Sequence, residues 1–268
     1  MSLVVNTNVG SLNAQRSLAA SGAELKTAME RLSSGSKINS ASDDAAGFAI
    51  AERMTAQIRG LNMAAKNAGD GLSMLAAIEN ATNDVTDMLQ RMRELAVQAV
   101  NDTNTGKDRE YLQQEVNGLL AEINRVASQT EYNGEAILDG SRYGNIQVGT
   151  EAGQTVHFQI SSIATNNLGT EGGHESLSGI NVSNSYNATN ALATITRSIE
   201  QVAGDRAEYG ALQNRLEYTV SNLMNVSEFT TAARSRIADA DFAQESARLA
   251  KAQVLQQSGT AMLAQANA

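Results

Sequence analysis

The chain has 268 residues, 42% apolar but only 4% aromatic, with no Trp, Pro or Cys and a formal net charge of −9 at pH 7. The absence of Cys excludes a disulfide framework, a thiolate metal site and a cysteine nucleophile, and the net negative charge opposes nucleic-acid binding through phosphates. No apolar run reaches the roughly 18 residues of a membrane-spanning helix, and the opening MSLVVNTNVG lacks the basic and apolar regions of a cleaved signal peptide; taken alone, these features point to the cytoplasm.

The first predicted helix runs from Asn8 to Ser33, with Leu12, Leu18, Leu25, Met29 and Leu32 as its larger apolar residues. A polar stretch, Ser33 to Lys37, interrupts it. Ser42 reads as the N-cap of the next helix, with Asp43 and Asp44 at its positive end. From Ala51 to Ala99 apolar residues recur at steps of three and four: Ala51, Met54, Ile58, Leu61, Ala65, Ala68, Leu72, Leu75, Ile78, Ala81, Val85, Met88, Met92, Leu95 and Ala99. The alternation slips once, between Leu72 and Ala81. This spacing predicts a helix with one apolar seam, spanning roughly 70 Å and ending near Asn101. The absence of Pro lets such a helix run unbroken, and the prevalence of Ala suits close helix–helix approach.

Thr105 and Asp108 form a capping-box pattern ahead of a third helix. Leu112, Val116, Leu119, Ile123 and Val126 give it a heptad ladder, long enough to lie antiparallel to the second helix. From Thr130 the period changes. Ile146 and Val148, then Val156, Phe158 and Ile160, alternate with polar neighbours about a turn at Thr150–Gly153, which predicts a hairpin. Residues 161–190, rich in Asn, Ser, Gly and Thr, read as loop or surface β structure. Helical spacing returns with Leu192, Ile195, Ile199, Val202, Tyr209, Leu216, Val220 and Leu223. Asp239 or Asp241 caps a last helix whose expected seam is Ala243, Ala247, Ala250, Val254 and Ala261. The predicted fold is mainly α: a long antiparallel helical coiled-coil bundle with a small β-hairpin region and paired N- and C-terminal helices.

Residues that could carry chemistry have simpler readings. His157 falls on the polar side of a strand and His174 in a glycine-rich loop, without the spacing that places two ligands on one helical face. Asp43–Asp44 suit a helix N-terminus better than acid–base catalysis. Gly169, Gly172 and Gly173 lack the strand–turn–helix context of a phosphate loop, and Met54, Met88 and Met92 belong to the apolar stripe. Asn80, Asn187 and Asn225 match the N-glycosylation pattern, as Asn-rich sequence does by chance. The reading is a non-enzyme with no cofactor, no catalytic residue and no metal ligand.

Many ordered segments resemble bacterial flagellin: Asn6-Thr7-Asn8, Arg31-Leu32-Ser33-Ser34-Gly35, Ile38-Asn39, Asp43-Asp44-Ala45-Ala46-Gly47, and the run from Gln90 through Arg91 and Leu95 to Gln98. Gln129–Gly134, Ile146–Gly149, Arg234-Ser235-Arg236-Ile237, Asp239-Ala240-Asp241 and Gln256–Thr260 extend the likeness to about residues 1–160 and 190–268. The resemblance implies the short, two-domain form. About 1–40 with 236–268 would be an inner terminal-helix coiled coil. About 41–235 would be a rod-like helical domain with the hairpin region at 130–165 and a short variable segment at 165–190. It implies a secreted structural subunit polymerising into the flagellar filament for motility, extracellular and exported without signal cleavage, which reverses the cytoplasmic reading. The implied partners are copies of itself, the flagellar type III export apparatus, an export chaperone at the C-terminal helix, the filament cap and junction proteins, and a Toll-like receptor, with no nucleic acid and no membrane insertion. By position, Arg91, Leu95 and Glu115 match the family's receptor-contact residues, with inter-subunit contact as the other role for Arg91 and Glu115 and core packing for Leu95. Flagellins usually continue into a short Pro- and Leu-containing tail where this chain stops at Ala268. The rival readings are the hook–filament junction protein, a flagellin used mainly as an adhesin or immune ligand, and an enzyme sited in the central segment.

Overall fold

The computed structural model describes residues 8–170 and 173–267, so Asn6 and Thr7 of the first motif and Gly172 lie outside the described residues. Five α-helices dominate: α1 (Val9–Ser34), α2 (Ala45–Val100), α3 (Gly106–Gln129), α4 (Ser185–Ala238) and α5 (Phe242–Asn267). Between α3 and α4 come β1 (Glu131–Tyr132), β2 (Glu135–Ala136), β3 (Tyr143–Gln147), β4 (Thr155–Gln159) and a 3₁₀ turn, Leu177–Gly179. The chain divides into two compact units. One is built from the chain up to Arg59 and from Val226 onward, the other from Gly60–Asn225.

In the first unit α1 packs against α5. Asn8 caps α1 by accepting the Ser11 N–H at 3.1 Å. Gly35 ends it in the left-handed region at φ 70°, a conformation an L side chain resists. Asp241, not Asp239, caps α5, its carboxylate accepting the N–H groups of Ala243 and Gln244. The helix ends are tied together by backbone bonds from Lys37 N–H to Ala238 and from Ala240 N–H to Gly35.

The seam of this pair is not the expected one. Ala243, Ala247, Ala250, Val254 and Ala261 are all exposed, and Glu245, Leu249, Ala252, Gln256, Gly259 and Leu263 face α1 at steps of four and three. On α1 the inward residues are Ser11, Ala14, Leu18, Ser21, Leu25, Ala28 and Leu32, leaving Leu12 and Met29 exposed. Arg31 pairs with Glu245 at 3.3 Å, and a side chain at Gly259 would meet Leu18. In the antiparallel register these contacts define, Leu25 comes opposite Ala252 and Leu249 opposite Ala28. In both pairs, as at Leu18 and Gly259, a large residue meets a small one, so volume rather than hydrophobicity sets this part of the seam.

Ser42 does not cap α2. The Asp44 carboxylate accepts the Gly47 N–H at 2.9 Å. Asp43 closes the preceding turn by accepting the N–H groups of Ser40 and Asn39, bonds that hold its carboxyl below the usual carboxylate range.

In the second unit the long stripe of α2 is the core. Leu75, Ile78, Val85, Met92, Leu95 and Ala99 are fully buried, joined by Leu89 and Ala96 from the flank. They pack in one cluster with Val116, Leu120 and Ile123 of α3 and Ile195, Val202, Tyr209 and Leu216 of α4. Leu120 and Ala127 share the inner face of α3 with Val116 and Ile123, so the expected ladder residues Leu112, Leu119 and Val126 are half-buried at its edge. The Thr105–Asp108 capping box is complete, and its bonds lower the Asp108 pKa.

The β3–β4 hairpin pairs Ile146 with Val156 and tucks both into the core. Gly71 makes room for it, because a Cβ there would lie 2.6 Å from the Ile146 side chain. A second, smaller hairpin was not anticipated. β1 and β2 are joined by Asn133-Gly134, with φ values of 54° and 77°, as the Asn-Gly dipeptide favours in two-residue loops. Residues 161–184 are also more buried than their polar composition suggests. Ile163, Leu168, Leu177 and Val182 are fully buried anchors, and helix α4 begins at Ser185, inside the segment expected to be loop.

Candidate functional site

The C-terminal part of α2 has two faces set by helical spacing. Val85, Leu89, Met92, Leu95, Ala96 and Ala99 point into the core, so Gln90, Arg91, Glu94 and Gln98 are presented outward. On α3 the burial of Val116 likewise leaves Glu115 exposed beside it. These two outward faces meet at Arg91. Its Nε and Nη2 both approach Glu115 Oε1 at 2.8 Å, and its Nη1 donates to Glu94 Oε2 at 2.9 Å. The Arg91 side chain is about half exposed, at 51%. Its hydrogen bonds to Glu94 and then Glu115 raise its pKa further above its ordinary value. The result is an oriented, permanently charged fork on an open surface, flanked by two carboxylates.

Leu95 is 1% exposed and sits among the core residues. The structure therefore brings Arg91 and Glu115 together and places Leu95 beneath them rather than beside them. A groove of about 600 Å³ adjoins this surface, lined by Gln90, Arg93, Glu94, Val97, Gln98 and Ile199.

Sequence reasoning missed the residues that hold the end of α2. Arg109 donates from Nε to the Ala99 carbonyl at 2.7 Å and from Nη2 to the Asn101 carbonyl at 3.1 Å. Asn104 donates to Gln98 O and Ser185 Oγ to Val100 O. Together they satisfy carbonyls that a helix end leaves without partners, and Arg109 adds positive charge at the negative end of the helix dipole. The signal lay in the cation just inside α3, after a turn of only a few residues.

Other polar groups of this unit are engaged in small local sets. His157 meets Asn145 across the hairpin at 3.3 Å. Ser161 donates from its backbone to the Tyr209 hydroxyl and from Oγ to Asp205. Burial raises the Tyr209 pKa, consistent with a hydroxyl serving as a core hydrogen-bond partner. Among the described residues no three His, Asp or Glu side chains are grouped to hold a metal ion, and no helix is long and apolar enough to cross a membrane. What this surface presents is a fixed charge pattern: one guanidinium held between two carboxylates.

Comparison with known proteins agrees with the helical ends. The bacterial flagellin N-terminal helical region matches residues 5–142, and the bacterial flagellin C-terminal helical region matches residues 192–268. The chain is 40% identical over 266 residues to a flagellin of Halalkalibacterium halodurans, covering 99% of this chain and 96% of that one. It is 40% identical over 278 residues to the flagellar filament 33 kDa core protein of Treponema phagedenis, again covering 99% and 96%. In fold it is similar to a putative flagellar hook-associated protein from Vibrio parahaemolyticus, with a TM-score of 0.63 over 74% of this chain and all of that one; at 16% identity that likeness concerns the fold alone. The chain belongs to the bacterial flagellin family.

Proposed function

We propose that this protein is the structural subunit of a flagellar filament, polymerising with copies of itself outside the cell to serve swimming motility. The observation that carries this reading is the full-length similarity to flagellins and to a filament core protein, at both helical ends of the chain. The physical features support it. Val254, Leu255 and Met262 of α5 are exposed on a stretch with no charged residue after Lys251, a surface that other subunits can cover. In this reading the terminal helices, about 1–40 and 236–268, form the inner domain and gain stability only when neighbours bury that surface.

The finer partners follow the family: the type III export apparatus, a chaperone at α5, the cap and junction proteins, and a Toll-like receptor. Export proceeds without removal of an N-terminal signal. Arg91, Leu95 and Glu115 act together at the receptor or a neighbouring subunit. Arg91 and Glu115 supply the charged surface, and Leu95 holds the helix beneath it.

The reading is tested by electron microscopy of the purified full chain under polymerising conditions. Long, uniform filaments are the expected result. Chains that fold but add only as a short layer to existing filament ends would favour the hook–filament junction protein instead.

A further inference from the structure

The chain contains two Asn-Gly pairs, Asn117–Gly118 and Asn133–Gly134. In sequence they are equivalent, and the backbone separates them. Asn117 lies inside α3, where Gly118 belongs to the helical ladder, and its side-chain carbonyl accepts a bond from Gln113 Nε2 at 2.8 Å. Asn133 is exposed at the tip of β1–β2, with φ 54°, the one positive-φ residue other than glycine among the described residues. Gly134 follows at φ 77°, with nothing within 4 Å of where a side chain would sit. The strands flanking this turn are two residues each, so the tip opens without disturbing the core.

We infer that Asn133 is the principal site of spontaneous deamidation in this chain. The Gly134 backbone nitrogen, uncrowded by any side chain of its own, loses its proton and attacks the Asn133 side-chain carbonyl carbon. A C–N bond forms, the bond to the amide nitrogen breaks, and ammonia leaves. Water then opens the cyclic imide at either carbonyl, giving Asp or isoaspartate at position 133; no oxidant, metal or enzyme enters the balance. The product carboxylate stands between the exposed Glu131 and Glu135, adding a third like charge to a two-residue turn. Isoaspartate also lengthens the backbone there, which conflicts with the register Tyr132–Glu135. The reaction loosens the hairpin that carries the Tyr132 hydroxyl to the Asp70 carbonyl and leads directly into the buried Ile137 and Leu138.

The test is peptide mapping by mass spectrometry of the full chain, incubated in mildly alkaline buffer at physiological temperature. Conversion at Asn133 is expected to outrun that at Asn117 by on the order of tenfold or more, since α3 must first open locally for Asn117 to react. Equal rates, or faster loss of Asn117, would overturn the assignment. In native isoelectric focusing, Asn133→Gln should remove most of the acidic isoform that accumulates with age, because glutamine cyclises far more slowly. An isoform that accumulates undiminished in this variant also overturns it.

Discussion

At the scale of single residues, Arg91 and Leu95 are four positions apart and do opposite things. Arg91 is tied to Glu94 and Glu115 on an open surface, where ion pairs are screened and add little to folding. Arg91→Ala should therefore leave the melting temperature of the monomer almost unchanged while reducing Toll-like-receptor signalling in a reporter-cell assay. A clear stability loss with undiminished signalling would refute its proposed role. Leu95→Ala removes a fully buried side chain and should cost about 2–5 kcal/mol in chemical denaturation. Any fall in signalling by that variant therefore has to be judged against its unfolding. The interior position of Leu95 was legible from the stripe. The pairing of Arg91 with Glu115 was not, because it depends on how α3 returns alongside α2. Local signals fared best where one dipole meets one side chain, as in the Thr105–Asp108 box. Choosing Ser42 over Asp44 as the cap of α2 failed because several good capping residues stand in a row, and only the turn closed by Asp43 decides among them.

At the scale of elements, volume does what hydrophobicity does not. The stripe of α2 was readable because most of its residues are larger than Ala and recur at regular steps of three and four. In α5 alanine occurs on every face, so it carries no directional information; the true seam includes Glu245, Gln256 and Gly259, which no apolar count selects. The same volume logic separates two glycines of α2. Gly69 has open space where a Cβ would go, whereas at Gly71 a Cβ would press on Ile146 and reach Leu216. Gly69→Ala should stabilise by up to about 1 kcal/mol through helix propensity. Gly71→Ala should lose that gain and destabilise, because the buried Ile146 side chain must leave its rotamer or carry the hairpin with it. Thermal melts of the two variants measure this directly; a stability gain for Gly71→Ala would show that the hairpin yields freely. The β1–β2 hairpin was missed for a different reason. Its strands are too short for any period to register, and only Asn133-Gly134 announced it.

At the scale of the whole molecule, the expectation of helices, a β insert and helices matches the order of elements. The central segment departs from it most. Its Asn-, Ser- and Gly-rich composition suggested surface loop, but Ile163, Leu168, Leu177, Ile180 and Val182 recur sparsely and nail it to the core. Sparse anchors carry no period, so sequence patterning passes over them. Between two of these anchors the backbone closes on itself, the Leu177 N–H bonding the Leu168 carbonyl at 2.9 Å. Gly169, just after the first anchor, is held against α4 by its N–H bond to Gln201, and the two anchors are already at hydrogen-bonding distance, so lengthening the chain at the exposed residues before Leu177 places little strain on either. A foreign peptide spliced between the exposed His174 and Glu175 should leave the thermal transition of the protein where it was. If the chain assembles as proposed, such a splice would turn every subunit into a display platform, with the cargo repeated at the spacing of the polymer.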